Sequence, residues 1–155
     1  MRLAKDAVQS PRPAGETLQF MQYLWHLAHA LQVRSRRMMR KLGITGPQRL
    51  VIRVIGQTPG IAPRDLATTL GLHPSTLTGV LARLVRDGLI DRRPDPEDGR
   101  RSQIRLTAAG KRIDRERRGT VEAAVRRALA RADRATIAST ARMIRLLIEE
   151  LERES

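Results

Sequence analysis

Apolar residues recur at helical spacing along most of the chain, and glycine or proline interrupts the pattern at intervals. The first run contains neither residue over 16–42 and stops at Gly43, which suits the end of a helix. Further runs predict helices at 47–57, 62–70, 74–87, 108–130 and 133–153. In the second helix, the apolar residues expected to face the core are Leu50, Val51, Val54 and Ile55. The pattern indicates a mainly α-helical protein.

The segment 62–87 has the form of a helix-turn-helix, because two short helices meet at a tight turn around Gly71. On the second helix, a buried stripe is predicted for Leu77, Val80, Leu81 and Leu84, at positions i, i+3, i+4 and i+7. The opposite face is small, hydroxylic and basic, and holds Ser75, Thr76, Thr78, Gly79, Ala82, Arg83 and Arg86. Such side chains allow close approach to a duplex and can bond base edges and phosphates.

Gly79 stands out within this helix because glycine costs about 1 kcal/mol relative to alanine in a helix interior. Packing against a neighbouring element would justify it, and so would close approach to DNA. The two explanations stay open at the level of sequence.

The stretch after Gly88 reads DRRPDPEDGRRSQIRLT over residues 91–107. Its last part alternates, with Ile104 and Leu106 on one side and Gln103 and Arg105 on the other, which is typical of a strand. A second strand before PDPEDG would complete a β-hairpin, and Thr107 suits the N-cap of the next helix. A helix-turn-helix followed by a hairpin predicts a winged helix.

The net charge of the chain indicates what the protein binds. The 155 residues hold 30 Lys and Arg against 16 Asp and Glu, a formal charge of +14, which favours nucleic acid first and an anionic membrane surface second. The aromatic residues Phe20, Tyr23 and Trp25 lie together, away from the basic segments, so stacking platforms for unpaired bases are absent there. We therefore expect double-stranded DNA as the partner.

Several other classes lose support. The chain has no cysteine, so disulfides and zinc fingers are excluded. No nucleotide-binding glycine motif or catalytic triad order is present, and we expect neither an enzyme nor a cofactor. His26 and His29 could share a metal ion, but no third ligand lies nearby in sequence, and no metal site is predicted. The chain has no secretory signal or membrane span, which favours a cytoplasmic protein.

The last helix carries a seam at spacings of four and three residues, formed by Ile137, Ala141, Ile144, Ile148 and Leu151. A heptad-like seam outside the winged helix favours packing against a partner helix, and therefore a homodimer.

With these elements in order, the sequence resembles the MarR family of bacterial transcription regulators. The resemblance covers residues 16–153 and rests on T-G-P-Q at 45–48, D-L-A at 65–67, S-T-L-T at 75–78, G-L-I at 88–90, R-R-P-D-P-E-D-G-R-R at 92–101 and L-T-A-A-G at 106–110. It implies an obligate homodimer that binds a pseudopalindromic operator. The predicted organisation is a flexible tail at 1–15, a dimerisation helix at 16–42, the winged helix at 43–107 and C-terminal dimerisation helices at 108–155. Arg2, Lys5 and Arg12 of the tail could form a basic arm.

The resemblance also implies how DNA is contacted. The helix at 74–87 would lie in the major groove and the wing would reach the minor groove, with Asp98 bracing the tip and either Arg100 or Arg101 inserted. The predicted DNA-binding residues are Arg64, Ser75, Thr76, Thr78, Gly79, Arg83, Arg92, Asp98, Arg100 and Arg101.

Control by a ligand is implied as well, since such regulators are often repressors relieved by a small aromatic or phenolic anion. The candidate ligand-binding residues are Trp25, His29, Met38 and Arg53. A different function is an architectural protein that binds DNA largely without sequence preference and without ligand response, which the net charge alone would suit.

Overall fold

The computed structural model describes residues 15–153. Within that range seven helices flank a two-stranded antiparallel sheet, so the predicted fold class is confirmed. The elements are α1 (Glu16–Leu42), α2 (Gly46–Gln57), α3 (Pro63–Leu70), α4 (Pro74–Arg86), β1 (Ile90–Pro94), β2 (Ser102–Leu106), α5 (Ala108–Arg115), α6 (Val121–Leu129) and α7 (Arg134–Arg153). The predicted tail, with Arg2, Lys5 and Arg12, lies outside the described residues apart from Gly15.

Local signals in the sequence set several helix ends. Gly43 has φ 70° and closes α1 in the left-handed conformation that glycine adopts without strain. Thr45 and Gln48 form a capping box at the start of α2, with each side chain bonded to the other residue's backbone N–H. Thr107 caps α5, and the carboxylate of Asp133 accepts from the N–H of Thr136 at the start of α7.

One apolar core holds the winged helix together. It joins one face each of α2, α3 and α4 to the sheet, so the strands and the helix-turn-helix share the same interior. Its buried members are Ile44, Val51, Ile52, Ile55, Ile61, Leu66, Ala67, Leu77, Leu81, Leu84, Ile90 and Ile104.

The inward face of α2 differs from the prediction. Leu50 is 53% exposed and Val54 is only partly buried, whereas Ile52 is fully buried. The helix is turned so that Gln48 and Arg49 also lie inside, where the capping box and a set of polar bonds satisfy them. Leu50 and Val54 line a cavity together with Arg49 and Val51 of the same helix.

The helix predicted over 108–130 is wrong in one respect, because the chain breaks it between Arg115 and Val121. Gly119 takes φ 75°, and the Thr120 hydroxyl caps the new helix by accepting from the N–H of Ala123 at 3.3 Å. A glycine followed by a capping threonine is a stop and start signal that the continuous apolar spacing concealed.

The predicted hairpin is present and has a closed base. Ile90 pairs with Leu106 and Pro94 with Ser102, and Ile61 forms an additional bridge to Ile104. At the base, the N–H of Thr107 donates to the carbonyl of Leu89 at 3.1 Å, and its hydroxyl donates to Gly88 at 2.7 Å.

The helices outside the winged helix are poorly covered. None of the residues of α7 is buried, although the helix is 20 residues long. Along α1, Met38 is the buried exception, and Trp25 is 68% exposed. Across residues 15–153, no helix combines the length and apolarity that crossing a bilayer requires.

Candidate nucleic-acid interface

The helix-turn-helix is formed by α3, a turn at Gly71 and α4. Gly71 has φ 61°, which permits the tight turn. His73 then caps α4, since its Nδ1 accepts from the N–H of Ser75 at 3.3 Å and lies 2.7 Å from the Ser75 hydroxyl. The cap holds the first turn of α4, which carries Ser75 and Thr76, in a fixed orientation.

The outward face of α4 is exposed along its length, while Leu77, Leu81 and Leu84 are buried below it. A Cβ atom added at Gly79 would meet nothing within 4 Å. Packing within the described part of the chain therefore does not explain the glycine. The Thr78 hydroxyl donates to the Pro74 carbonyl at 2.8 Å, so its oxygen lone pairs remain available as acceptors.

Three predicted contacts from separate elements meet in one groove. A cavity of about 630 Å³ is lined by Arg64 of α3, Thr78 of α4 and Arg92 of β1. The Arg92 guanidinium is held by a bond from Nη2 to the Ser102 hydroxyl at 3.1 Å. The groove brings two guanidinium groups and a hydroxyl to one face, a combination suited to phosphate contact.

The tip of the wing is ordered by its own acids. Asp98 accepts from the backbone N–H of Arg100 at 3.0 Å, and its carbonyl accepts from the N–H of Arg101 at 2.9 Å. Asp95 accepts from the N–H of Glu97 at 2.9 Å. The backbone bond from Glu97 and the side-chain bond from Gln103 hold the pKa of Asp95 below its ordinary value.

This arrangement refines the brace that the resemblance implied at Asp98. The acid bonds the backbone of Arg100, which leaves the guanidinium groups of Arg100 and Arg101 exposed. The sequence analysis did not identify Asp95, which helps Asp98 to order the tip of the wing. Its position directly before Pro96, in a turn rich in acids, is the signal that pointed to such a role.

A second and larger cavity, about 960 Å³, lies where α1, α2 and α6 meet. Of the four predicted ligand-binding residues, Arg53 lines it. Trp25 and His29 are exposed on α1 and Met38 is buried, and these three do not line the cavity. The structure therefore does not bring the four candidates together within this chain.

Arg49, which the sequence did not single out, connects this cavity to the winged helix. Its side chain is 1% exposed, and it donates to Glu122 Oε1 from Nε at 2.8 Å and from Nη2 at 2.5 Å. It also donates to the carbonyls of Ile113, Asp114 and Glu116, where α5 ends. The guanidinium thus lies between the negative end of α5 and a carboxylate in the first turn of α6.

Two further contacts complete this polar cluster. Arg53 Nη1 donates to Asp114 Oδ1 at 2.6 Å, and Arg53 Nε lies 3.9 Å from Glu122 Oε1. Asp114 packs so closely on α2 that a Cβ at Gly56 would lie 2.8 Å from its Oδ2. Burial raises the pKa of Glu122, but bonds from Arg49, its own backbone and Thr120, together with the charge of Arg49, outweigh burial and lower it overall.

Together, an exposed basic and hydroxylic helix, a groove with two arginines and a self-ordered basic hairpin define a winged helix-turn-helix protein of the DNA-binding class. Comparison with known proteins agrees. The family model described as the MarR family matches residues 42–101. The HTH-type transcriptional repressor IacR of Pseudomonas putida is 31% identical over 74 residues, which cover 48% of this chain and 44% of that protein.

Solved structures match over more of the chain. The PcaV transcriptional regulator of Streptomyces coelicolor is 32% identical, with 82% of this chain and 96% of that chain covered and a TM-score of 0.54. Its complex with its natural ligand matches at 28% identity, 96% and 98% coverage and a TM-score of 0.61. The S. aureus MepR–DNA complex, at 19% identity, shares the fold over 85% of this chain and 97% of that chain, with a TM-score of 0.68. The chain belongs to the MarR family of transcriptional regulators.

Proposed function

We propose that this chain is a homodimeric repressor that binds a specific double-stranded operator and releases it when an organic anion binds the cavity beside Arg53. The observation that carries the proposal is the groove in which Arg64, Thr78 and Arg92 meet beneath the exposed face of α4. Guanidinium groups there would fix the protein on the phosphates while α4 reads base edges in the major groove.

The wing supplies the second contact. Its tip holds Arg100 and Arg101 exposed on a turn whose backbone is already bonded to Asp95 and Asp98. A turn ordered before binding loses little entropy when an arginine enters the narrow, electronegative minor groove.

The apolar surface outside the winged helix supports the proposed homodimer. Ile144 and Ile148 of α7 and Leu18 and Leu27 of α1 are each about half exposed. Apolar surface of this extent on two long helices favours burial against a second copy. Two recognition helices related by a twofold axis would then read half-sites about 10 bp apart.

The dimer is tested by replacing one seam residue. Ile144→Glu is expected to yield monomers in sedimentation equilibrium, because an unpaired carboxylate would have to be buried in the interface. Arg142→Glu, exposed on the same helix, is the matched control and should remain dimeric. A dimer of unchanged stability for Ile144→Glu would contradict the assignment of α7.

Selection of bound duplexes from a random pool tests sequence specificity directly. We expect a pseudopalindrome whose affinity falls steeply with salt, because phosphate contacts release counterions. Band shifts then test the wing: Arg100→Ala or Arg101→Ala should weaken binding by about tenfold or more, while Arg134→Ala at the start of α7 should not. Equal losses in all three variants would refute the role of the wing.

The net charge of +14 supports a second candidate, an architectural protein that coats DNA with little sequence preference. Footprinting separates the two functions. Discrete protected sites are expected for the repressor, and uniform protection at all concentrations would favour the architectural protein.

A further inference from the structure

We infer that the cavity beside Arg53 binds an aliphatic monocarboxylate, and that the ligand carboxylate takes the place of Asp114 on the Arg53 guanidinium. The inference rests on the proposed function, since it names the class of anion that would act there. It departs from the aromatic or phenolic ligand that the resemblance implied.

The side chains that line the cavity indicate an aliphatic ligand. Aliphatic side chains from α1, α2, the end of α3 with its turn, and α6 form the largest group in the lining, and no aromatic residue of the described chain contributes to it. They are Leu31, Leu50, Val51, Val54, Leu70, Leu72, Val121 and Val125. A volume of about 960 Å³ lies at the upper end of the range for small-molecule sites, so an extended flexible chain fills it better than one small ring.

The charged side chains in the same lining indicate a negatively charged ligand. Four arginines stand against one acid: Arg36, Arg49, Arg53 and Arg126, with Glu122. Arg49 is fully engaged by Glu122 and by the end of α5, so it is not the group an incoming anion meets. Arg53 is 21% exposed and lines the cavity.

Asp114 is a weak competitor for Arg53. Its Oδ1 accepts a single bond from Nη1 at 2.6 Å, whereas a free carboxylate can bind a guanidinium with two parallel bonds. The exchange replaces one charge-assisted contact by another, and burial of the aliphatic chain drives it forward. Once displaced, the Asp114 carboxylate no longer bonds to α2, and the end of α5 is held on α2 by the bonds from arginines to its carbonyls alone, which weakens this attachment.

Calorimetric titration of the full chain without DNA tests the inference. Octanoate is expected to bind one site per chain, about tenfold more tightly than neutral octanol and more tightly than salicylate or 3,4-dihydroxybenzoate. From hexanoate to octanoate, affinity should rise by up to about fourfold for each added methylene. Tighter binding of either aromatic acid, or no binding of octanoate at millimolar concentration, would overturn the inference.

Two variants that should act in opposite directions test the exchange. Arg53→Gln should weaken octanoate binding by about tenfold, because the charge-assisted bonds are lost. Asp114→Asn should strengthen it by about threefold or more, because the competing charge is removed while the shape is kept. Arg131→Gln, exposed between α6 and α7, is the control and should leave it unchanged.

If Arg53 and Asp114 had only a structural role, both variants would bind octanoate more weakly, and that result would overturn the proposed exchange. Circular dichroism verifies that each variant is folded. The titration is independent of DNA. A chain that binds octanoate as described but selects no operator refutes the proposed function and leaves this inference standing. A chain that selects an operator but ignores octanoate refutes this inference alone.

Discussion

Arg49→Met tests how the buried guanidinium holds the junction between α5 and α6. The substitution keeps an unbranched side chain in the core but removes five hydrogen bonds, two to Glu122 and three to backbone carbonyls. After it, the carboxylate of Glu122 has lost its nearest cation, and three carbonyls at the end of α5 have each lost one of their donors.

The size of the effect follows from burial. Removing one partner of a buried ion pair costs about 3–5 kcal/mol, because the other charge is left without compensation. Glu122 keeps 27% of its side chain exposed, so water solvates part of its charge, and Arg53 lies 3.9 Å away. We therefore expect the lower end of that range, about 3 kcal/mol of the free energy of unfolding.

Urea denaturation followed by circular dichroism at pH 7 measures this loss, with the protein concentration held fixed because the proposed dimer would link stability to concentration. Adding Glu122→Gln to Arg49→Met should restore about 1–2 kcal/mol, since no unpaired carboxylate remains. Arg131→Met, at an exposed position, should change stability by less than about 0.5 kcal/mol. The reasoning fails if Arg49→Met costs under about 1 kcal/mol, or if the second substitution destabilises the protein further.

Three other predictions concern the interface and the junction. Gly79→Ala should raise the free energy of unfolding by up to about 1 kcal/mol, seen as a higher melting temperature, yet weaken operator binding in band shifts. Stronger operator binding would exclude close approach of DNA at this position. Asp95→Ala should speed hydrogen exchange of the Glu97 amide and reduce DNA affinity at unchanged melting temperature, and an unaltered exchange rate would contradict its role in the tip. Since the folded pKa of Glu122 is lowered from its ordinary value of 4.5, its contribution to stability is complete above that value and is lost as pH falls through the folded pKa. Glu122→Gln should therefore flatten the acid limb of a stability–pH curve, and an unchanged limb would count against the bond to Arg49.

Much of the winged helix was predictable because its signals are local. The stripe of Leu77, Leu81 and Leu84, the glycine turn before it and the alternation around Ile104 each reflect burial on one side of one element. Periodicity alone is enough to detect such faces. The order of these elements then specified the architecture.

The junction was not predictable in the same way, because it depends on contacts distant in sequence. Arg49 and Glu122 are separated by 73 positions, and nothing near either residue indicates a buried pair. The one sequence signal of the buried pair is that Arg49 lies three residues before the buried Ile52 and therefore on the same face of the helix. An arginine on an amphipathic helix is ordinarily assigned to the solvent side, which is also why the exposed face of α2 was misjudged.

The base of the wing has a consequence for how regulators of this kind diversify. The bonds between residues 88–89 and Thr107 hold the two ends of the hairpin together independently of its tip, and at Gly110 a Cβ would lie 2.0 Å from the Leu89 carbonyl, so α5 rests directly on that base. Because both ends of the hairpin are anchored in this way, the sequence of its tip can change without altering its base. We predict that residues 95–101 can be exchanged for those of another regulator while the core, the outer helices and the cavity keep their structure.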